Sequence, residues 1–148
     1  MALFQNFDIS ASGMTAQRLR MDTIAENLAN VNTTRTQEGG PYTRKVVQFQ
    51  EKYLNPSFAA TLDSYMKSYK GNGVRVRRIY EDTETEYIME YDPSHPDADE
   101  NGYVTMPNVN TVTEMTNLID ASRAYQANVT AFNALKEMTT RGISIGQS

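Results

Sequence analysis

Residues 115–135 read MTNLIDASRAYQANVTAFNAL, and their spacing decides the fold. Met115, Leu118, Ile119, Ser122, Tyr125, Val129, Phe132 and Leu135 recur at intervals of three and four, the signature of one face of an α-helix. Ala121, Ala124, Ala127, Ala131 and Ala134 keep that helix slim. Thr111 followed by Glu114 has the form of a capping box at its start, and Gly142 after Arg141 suits a C-terminal stop. At the other end of the chain Phe7, Met14, Met21 and Leu28 recur every seven residues, with Ala11, Ile24, Ala25 and Val31 beside them. That is a coiled-coil type of seam, continuing towards Thr34. Asn27, Asn30 and Asn32 fall where this helix should end. Asn27 reads first as a cap and second as a polar residue fixing register in the seam.

At about 1.5 Å rise per residue the two helices would be roughly 35 to 50 Å long, longer than the rest of the chain could cover. They are expected to pair with each other and to leave Leu3, Phe4, Ile9, Leu19, Ile119 and Met138 for other chains. The fold class is α+β: long N- and C-terminal helices paired as a coiled coil, with a small central β domain. The segments are 1–34 (N-terminal axial helix), 35–107 (central β-rich domain) and 108–148 (C-terminal axial helix). The assembly interface is assigned to Phe7, Met14, Met21, Ile24, Leu28, Met115, Leu118, Tyr125, Val129 and Phe132.

The middle is punctuated by Glu38-Gly39-Gly40-Pro41, by Lys70-Gly71-Asn72-Gly73 and by Asp92-Pro93-Ser94-His95-Pro96. Between these lie Tyr42–Phe49, Val74–Tyr80 and Glu84–Tyr91, each with the composition or alternation of a strand. Charge is segregated. Residues 44–78 hold eight basic and two acidic residues, whereas 81–100 hold nine acidic and no Lys or Arg, within a net charge of −4. The first reading sets the Val74 strand beside the Glu84 strand so that charges pair across them. The second makes the two blocks complementary faces of neighbouring subunits, arranged head to tail. Nucleic acid is a poor partner, because the acidic block would repel phosphate.

With no cysteine there are no disulfides, no thiol chemistry and no cysteine-based metal site. No basic residue precedes Arg18 and no apolar run follows the start, so neither a cleaved signal nor membrane insertion is expected. Asp97, Asp99, Asn101 and Gly102 match the first half of a calcium loop, but Asn108 stands where a bidentate Glu is required. A polar turn is the better reading of that segment. His95 is the sole histidine, flanked by prolines and without a nucleophile pattern. No catalytic motif, cofactor site or small-molecule substrate is expected.

Ser10–Met21 (SASGMTAQRLRM) and Asn27–Thr34 (NLANVNTT) resemble the N-terminal motif of bacterial flagellar rod and hook proteins. Glu38–Tyr42, Tyr91–Asp97, Gly102–Asn108 and Ala121–Asn128 resemble the proximal rod branch of that family, so the likeness spans most of the chain. Gln37 and Thr111 stand where that pattern has proline, Asp99 where it has Asn, and 82–89 follows no recognisable pattern. The resemblance implies a non-enzymatic subunit of the basal-body rod, exported by the flagellar type III apparatus without a cleaved signal peptide and assembled in the periplasm. It implies as partners copies of itself, other rod proteins, the rod-to-ring adaptor and the export gate. The alternatives are another axial rod subunit, a calcium-binding module and a free-standing helical-hairpin adaptor.

Overall fold

The computed structural model describes residues 2–52 and 71–145, with side chains from residue 4 onward. Leu3 as a surface residue, and Asp63, Lys67 and Lys70 of the charged block, lie outside this description. The elements are α1 (Ala2–Ala29), β1 (Lys45–Glu51), β2 (Val74–Glu81), β3 (Ile88–Tyr91), β4 (Tyr103–Met106) and α2 (Thr111–Ile145). Their 28 and 35 helical residues correspond to about 42 and 52 Å.

The two helices pack on each other antiparallel. The Phe7 and Phe132 rings meet edge to face with centroids 5.0 Å apart, Arg20 Nη2 donates to Asn117 Oδ1 at 3.4 Å, and Asn27 reaches Glu114 at 3.0 Å. Phe7 of the expected line meets its partner helix, but three other close approaches fall one residue before Met14, Met21 and Leu28. Gly13, Arg20 and Asn27 on α1 face Asn128, Asn117 and Glu114 on α2. A Cβ built on Gly13 would stand 2.8 Å from Asn128 Oδ1, so glycine is what lets that amide sit against the helix. Ala16, Ile24 and Ala121 are buried with them. The contact line is therefore made of small and polar side chains, and the bulky apolar ones flank it.

α1 ends at Ala29 rather than continuing towards Thr34. Asn30 closes it twice over, donating to the Glu26 carbonyl from its backbone N at 3.1 Å and from its Nδ2 at 2.9 Å. At the start of α2 the cap is Asn110, not Thr111. Asn110 Oδ1 accepts from Thr113 N at 3.0 Å, which frees Glu114 to turn inward. Gly142 does not stop α2, which runs on to Ile145; it lacks the positive φ a glycine stop uses.

The β residues form two separate antiparallel ribbons, β1–β2 and β3–β4. This overturns the pairing of the Val74 strand with the Glu84 strand. β1 gives β2 a seven-pair ladder, Lys45↔Glu81 through Glu51↔Val74. After β2, Asp82 accepts from Glu84 N and Thr85 N and turns the chain away. The first strand also starts later than Tyr42, because Tyr42 points into the protein instead of joining the ladder.

The β1–β2 ribbon lies on α1. Gly73, at φ +86°, brings the chain so close to α1 that a Cβ there would meet Ser12 Oγ at 2.3 Å. That hydroxyl accepts from Val74 N at 3.1 Å and donates to the Ile9 carbonyl at 2.7 Å, tying ribbon to helix. β3 and β4 pair from Ile88↔Met106 to Tyr91↔Tyr103.

Candidate functional site: assembly surfaces and the polar hub that orients them

The helix pair and the ribbons meet at a buried polar cluster built by two asparagines and a glutamate. Asn27 is fully buried. Its Oδ1 accepts from Lys45 N and from the Tyr42 hydroxyl, each at 2.9 Å, and its Nδ2 donates to Lys45 O at 2.9 Å and Glu114 Oε2 at 3.0 Å. The amide thus pairs with both backbone groups of Lys45 as a neighbouring strand would, leaving none of its hydrogen-bonding capacity unused. Asn27 is no C-cap. It fixes the register of α1 against α2 and against β1.

From the other side, Asn108 Oδ1 accepts from Arg44 N at 2.8 Å, while its Nδ2 donates to the carbonyls of Asp82 at 2.7 Å and Thr85 at 3.0 Å. Glu114, only 1% exposed, takes Nε and Nη2 of Arg44 on Oε1 at 3.0 and 2.8 Å. Nη1 of Arg44 reaches Asp82 at 3.2 Å. A buried carboxylate is tolerable only when paired and hydrogen-bonded in this way.

The cluster's electrostatics follow from that packing. Burial pushes the Tyr42 phenol up to about 12, helped by the charges of Glu26, Glu81 and Glu114. Burial opposes the Arg44 charge, but Glu114 and then Asp82 outweigh it and hold the guanidinium above its ordinary value. Asp82 is held below the ordinary carboxylate value, first by the Thr85 hydroxyl and, against some burial, by the Thr85 amide and Arg44.

Of the expected interface residues, Ile24 is buried; Phe7, Met14, Met21, Leu28, Leu118, Tyr125, Val129 and Phe132 are half-buried along the flanks of the helix pair. Met115 is different: it is 54% exposed and points away from α1. Val112, Ile119, Met138 and Ile145 are exposed with it, joined along the helix by exposed Ala127, Ala131 and Ala134. Val112, Met115, Ile119 and Met138 thus form an exposed apolar stripe on α2. Phe4 and Leu19 add exposed apolar surface on α1. Stripes of this extent mark surfaces that bind other proteins.

The calcium-like loop is occupied by the protein's own groups. Asp97 Oδ2 accepts from Thr34 Oγ1 at 2.8 Å and its Oδ1 lies 3.7 Å from Arg35. Asp99 Oδ1 accepts from the amides of Asn101 and Tyr103. Among the described residues no three His, Asp or Glu side chains converge to hold a metal ion. His95 Nδ1 accepts from Asp97 N at 3.1 Å and helps shape the same loop.

Two long helices folded against each other, with apolar side chains exposed on their outer flanks, carry two short ribbons. Residues 7–37 match the family described as Flagella basal body rod protein, and residues 100–145 match the family described as Flagellar basal body rod FlgEFG protein C-terminal. These spans cover α1 with the loop after it, and β4 with α2. The chain is 43% identical to the flagellar basal-body rod protein FlgC of Borreliella burgdorferi, with 99% of each chain covered. It is 44% identical to that of Bacillus subtilis and 40% identical to that of Salmonella typhimurium, in both cases over 99% of this chain and all of the relative. The chain belongs to the FlgC family of flagellar basal-body rod proteins. It is a structural subunit of the rod in the flagellar basal body, and its relatives are structural proteins rather than enzymes.

Proposed function

We propose that α1 and α2 form a coiled-coil-type hairpin whose outer flanks join copies of this chain and other rod proteins into the rod tube. In this reading the segments 1–34 and 108–148 are axial. The segment 35–107 faces outward and meets neighbouring rod proteins, and the adaptor and export gate lie at the membrane end. The subunit is exported through the flagellar type III route and assembled in the periplasm. The assembly residues are Phe7, Met14, Met21, Ile24, Leu28, Met115, Leu118, Tyr125, Val129 and Phe132.

The observation that carries the reading is the exposed stripe Val112, Met115, Ile119 and Met138 on a helix whose opposite side is already satisfied by α1. Side-by-side packing of such stripes resists bending and shear, which is what a torque-bearing tube requires. Methionine suits contacts that differ from one neighbour to the next, because its thioether adapts its shape.

Met115→Asp tests this. The residue touches solvent in the free chain, so the circular dichroism spectrum and urea midpoint should stay as in the parent. Incorporation into rods, assayed in cells lacking their own copy, should fall at least tenfold. Normal incorporation would overturn the assignment.

A further inference from the structure

The geometry points to a second contact between copies: the arginine face of the β1–β2 ribbon of one subunit docks on the acidic, tyrosine-rich β3–β4 ribbon of the next. It rests on the reading that copies of this chain stack in the rod, and it adds which faces meet.

Charged groups of both blocks stay outside the ion pairs of the described residues. Among the described residues the ion pairs are Arg35–Asp97, Arg44–Asp82, Arg44–Glu114 and Lys45–Glu26. Arg75, Arg77 and Arg78 are exposed and belong to none of them, and the same holds for Glu84, Glu86 and Glu90. The arginines are nevertheless held in place. Arg75 and Arg78 donate to Gln50 and Gln48 across the ladder, at 3.3 and 3.1 Å, and the Arg78 guanidinium lies 4.8 Å from the Tyr80 ring centroid. Between the pairs Gln48↔Arg78 and Phe49↔Val76 the register shifts, so Arg77 is an extra residue with no partner on β1. Such a bulge bends the strand outward and concentrates positive charge on this face. Side chains already ordered lose less entropy on binding.

The complementary charge lies along 84–90, with Glu84 and Glu86 just before β3 and Glu90 within it. Ile88, Met89, Tyr91 and Tyr103 are all exposed on the β3–β4 ribbon, with the Tyr91 and Tyr103 rings edge to face at 5.3 Å. Alternation along β3 sets Met89 and Tyr91 on one face and Ile88 and Glu90 on the other, so the carboxylate offered to arginine stands beside exposed Ile88.

Both faces are on one molecule, which argues for a second copy as the occupant. Arg78 and Glu84 line one cleft of about 490 Å³ without forming an ion pair. β2 begins against Ser12, near the middle of α1, and ends at the hub where Asn27 holds Lys45. The β3–β4 ribbon follows beyond the hub, where Tyr87 meets Thr43 at 2.7 Å. A patch and its complement displaced along one surface can also meet head to tail. That is a heterologous contact, which builds rings or helices.

The test is charge reversal in the full chain, in cells lacking their own copy. Arg75→Glu with Arg77→Glu, and separately Glu86→Lys with Glu90→Lys, should each cut incorporation into rods at least tenfold while the circular dichroism spectrum is unchanged. The variant with all four substitutions should recover most of it. Neutral reversals would overturn the contact. Loss without recovery in the combined variant would overturn it equally, since the faces would then meet a different molecule. Met115→Asp, measured beside them, separates the two readings. Exclusion of that variant with neutral reversals sinks only the ribbon contact, whereas its normal incorporation sinks the helix reading alone.

Discussion

Arg44 is the residue on which the central cluster balances, because it is the only cation touching Glu114 among the described residues. Arg44→Leu leaves a carboxylate that is 1% exposed without its counter-ion, at a cost of about 3 to 5 kcal/mol, a large share of the roughly 5 to 15 kcal/mol typical of folded domains. Urea unfolding should show this as a large fall in midpoint, and Glu114→Gln should cost much less, since the amide keeps the shape and some of the hydrogen bonds. Tyr42 sets the alkaline limit. Its folded pKa, about 12, lies above its ordinary 10.0, so its contribution is complete below pH 10 and is lost as the pH rises to about 12. Asp82 has the opposite sign: depressed when folded, it stabilises above its ordinary 3.8 and loses that contribution as the pH falls through its folded value. Urea midpoints measured from pH 3 to 12 should give a plateau closed on both sides, with Tyr42→Phe removing part of the alkaline fall. A midpoint insensitive to pH between 10 and 12 would contradict the burial of that phenol.

At the scale of elements, the helix pair depends on small residues at its closest approach. Ala121 is fully buried on the line between Glu114 and Asn128, so Ala121→Leu should force the helices apart and cost roughly 2 kcal/mol. Thermal unfolding reads that directly, and an unchanged melting temperature would show the crossing to be looser than drawn. Gly73→Ala meets two penalties at once, a φ of +86° and a collision with Ser12 Oγ, and should destabilise the chain by about 2 kcal/mol or more. Both helices were legible in the sequence because apolar residues three and four apart leave little else possible. The inner line was not. Gly13, Arg20 and Asn27 stand one place before Met14, Met21 and Leu28, and a hydrophobic count favours the larger neighbours. Asn27 gave a partial signal, a polar residue in phase with buried Ile24 three positions earlier. Glu114 gave a misleading one, since the third helical position after a threonine is where a capping-box glutamate belongs. Charge segregation suggested that β2 and its acidic successor were partners, whereas the ladder went to β1, whose apolar residues face α1 with those of β2. Of the exposed stripe of α2, spacing marks Ile119 and Met138 as open but does not single out Val112. That Met115 points outward while Phe132 touches Phe7 could be known only from the crossing of two helices.

For the molecule as a whole, the antiparallel register decides which parts are supported in the free subunit. Phe7 faces Phe132, and α1 begins five residues before Phe7, so α2 runs past the start of α1 from about Glu137 onward. The residues 140–145 are all exposed, and Met138 is 60% exposed. The other end is the reverse: Asn27, Asn108 and Glu114 lock both helices to the ribbons. Local opening follows support, so the far end of α2 should fray while the hub stays closed. Trypsin on the free subunit should therefore cut first after Lys136 and Arg141, and late after Arg44, whose guanidinium is held by Glu114 and Asp82. In intact rods the first two sites should become resistant, because the same stripe that lacks cover in the free chain is the one taken to meet its neighbours. Cleavage at Lys136 and Arg141 with equal ease in both states would mean that this end of α2 stays uncovered after assembly, and the stripe would have to be shortened to Val112, Met115 and Ile119.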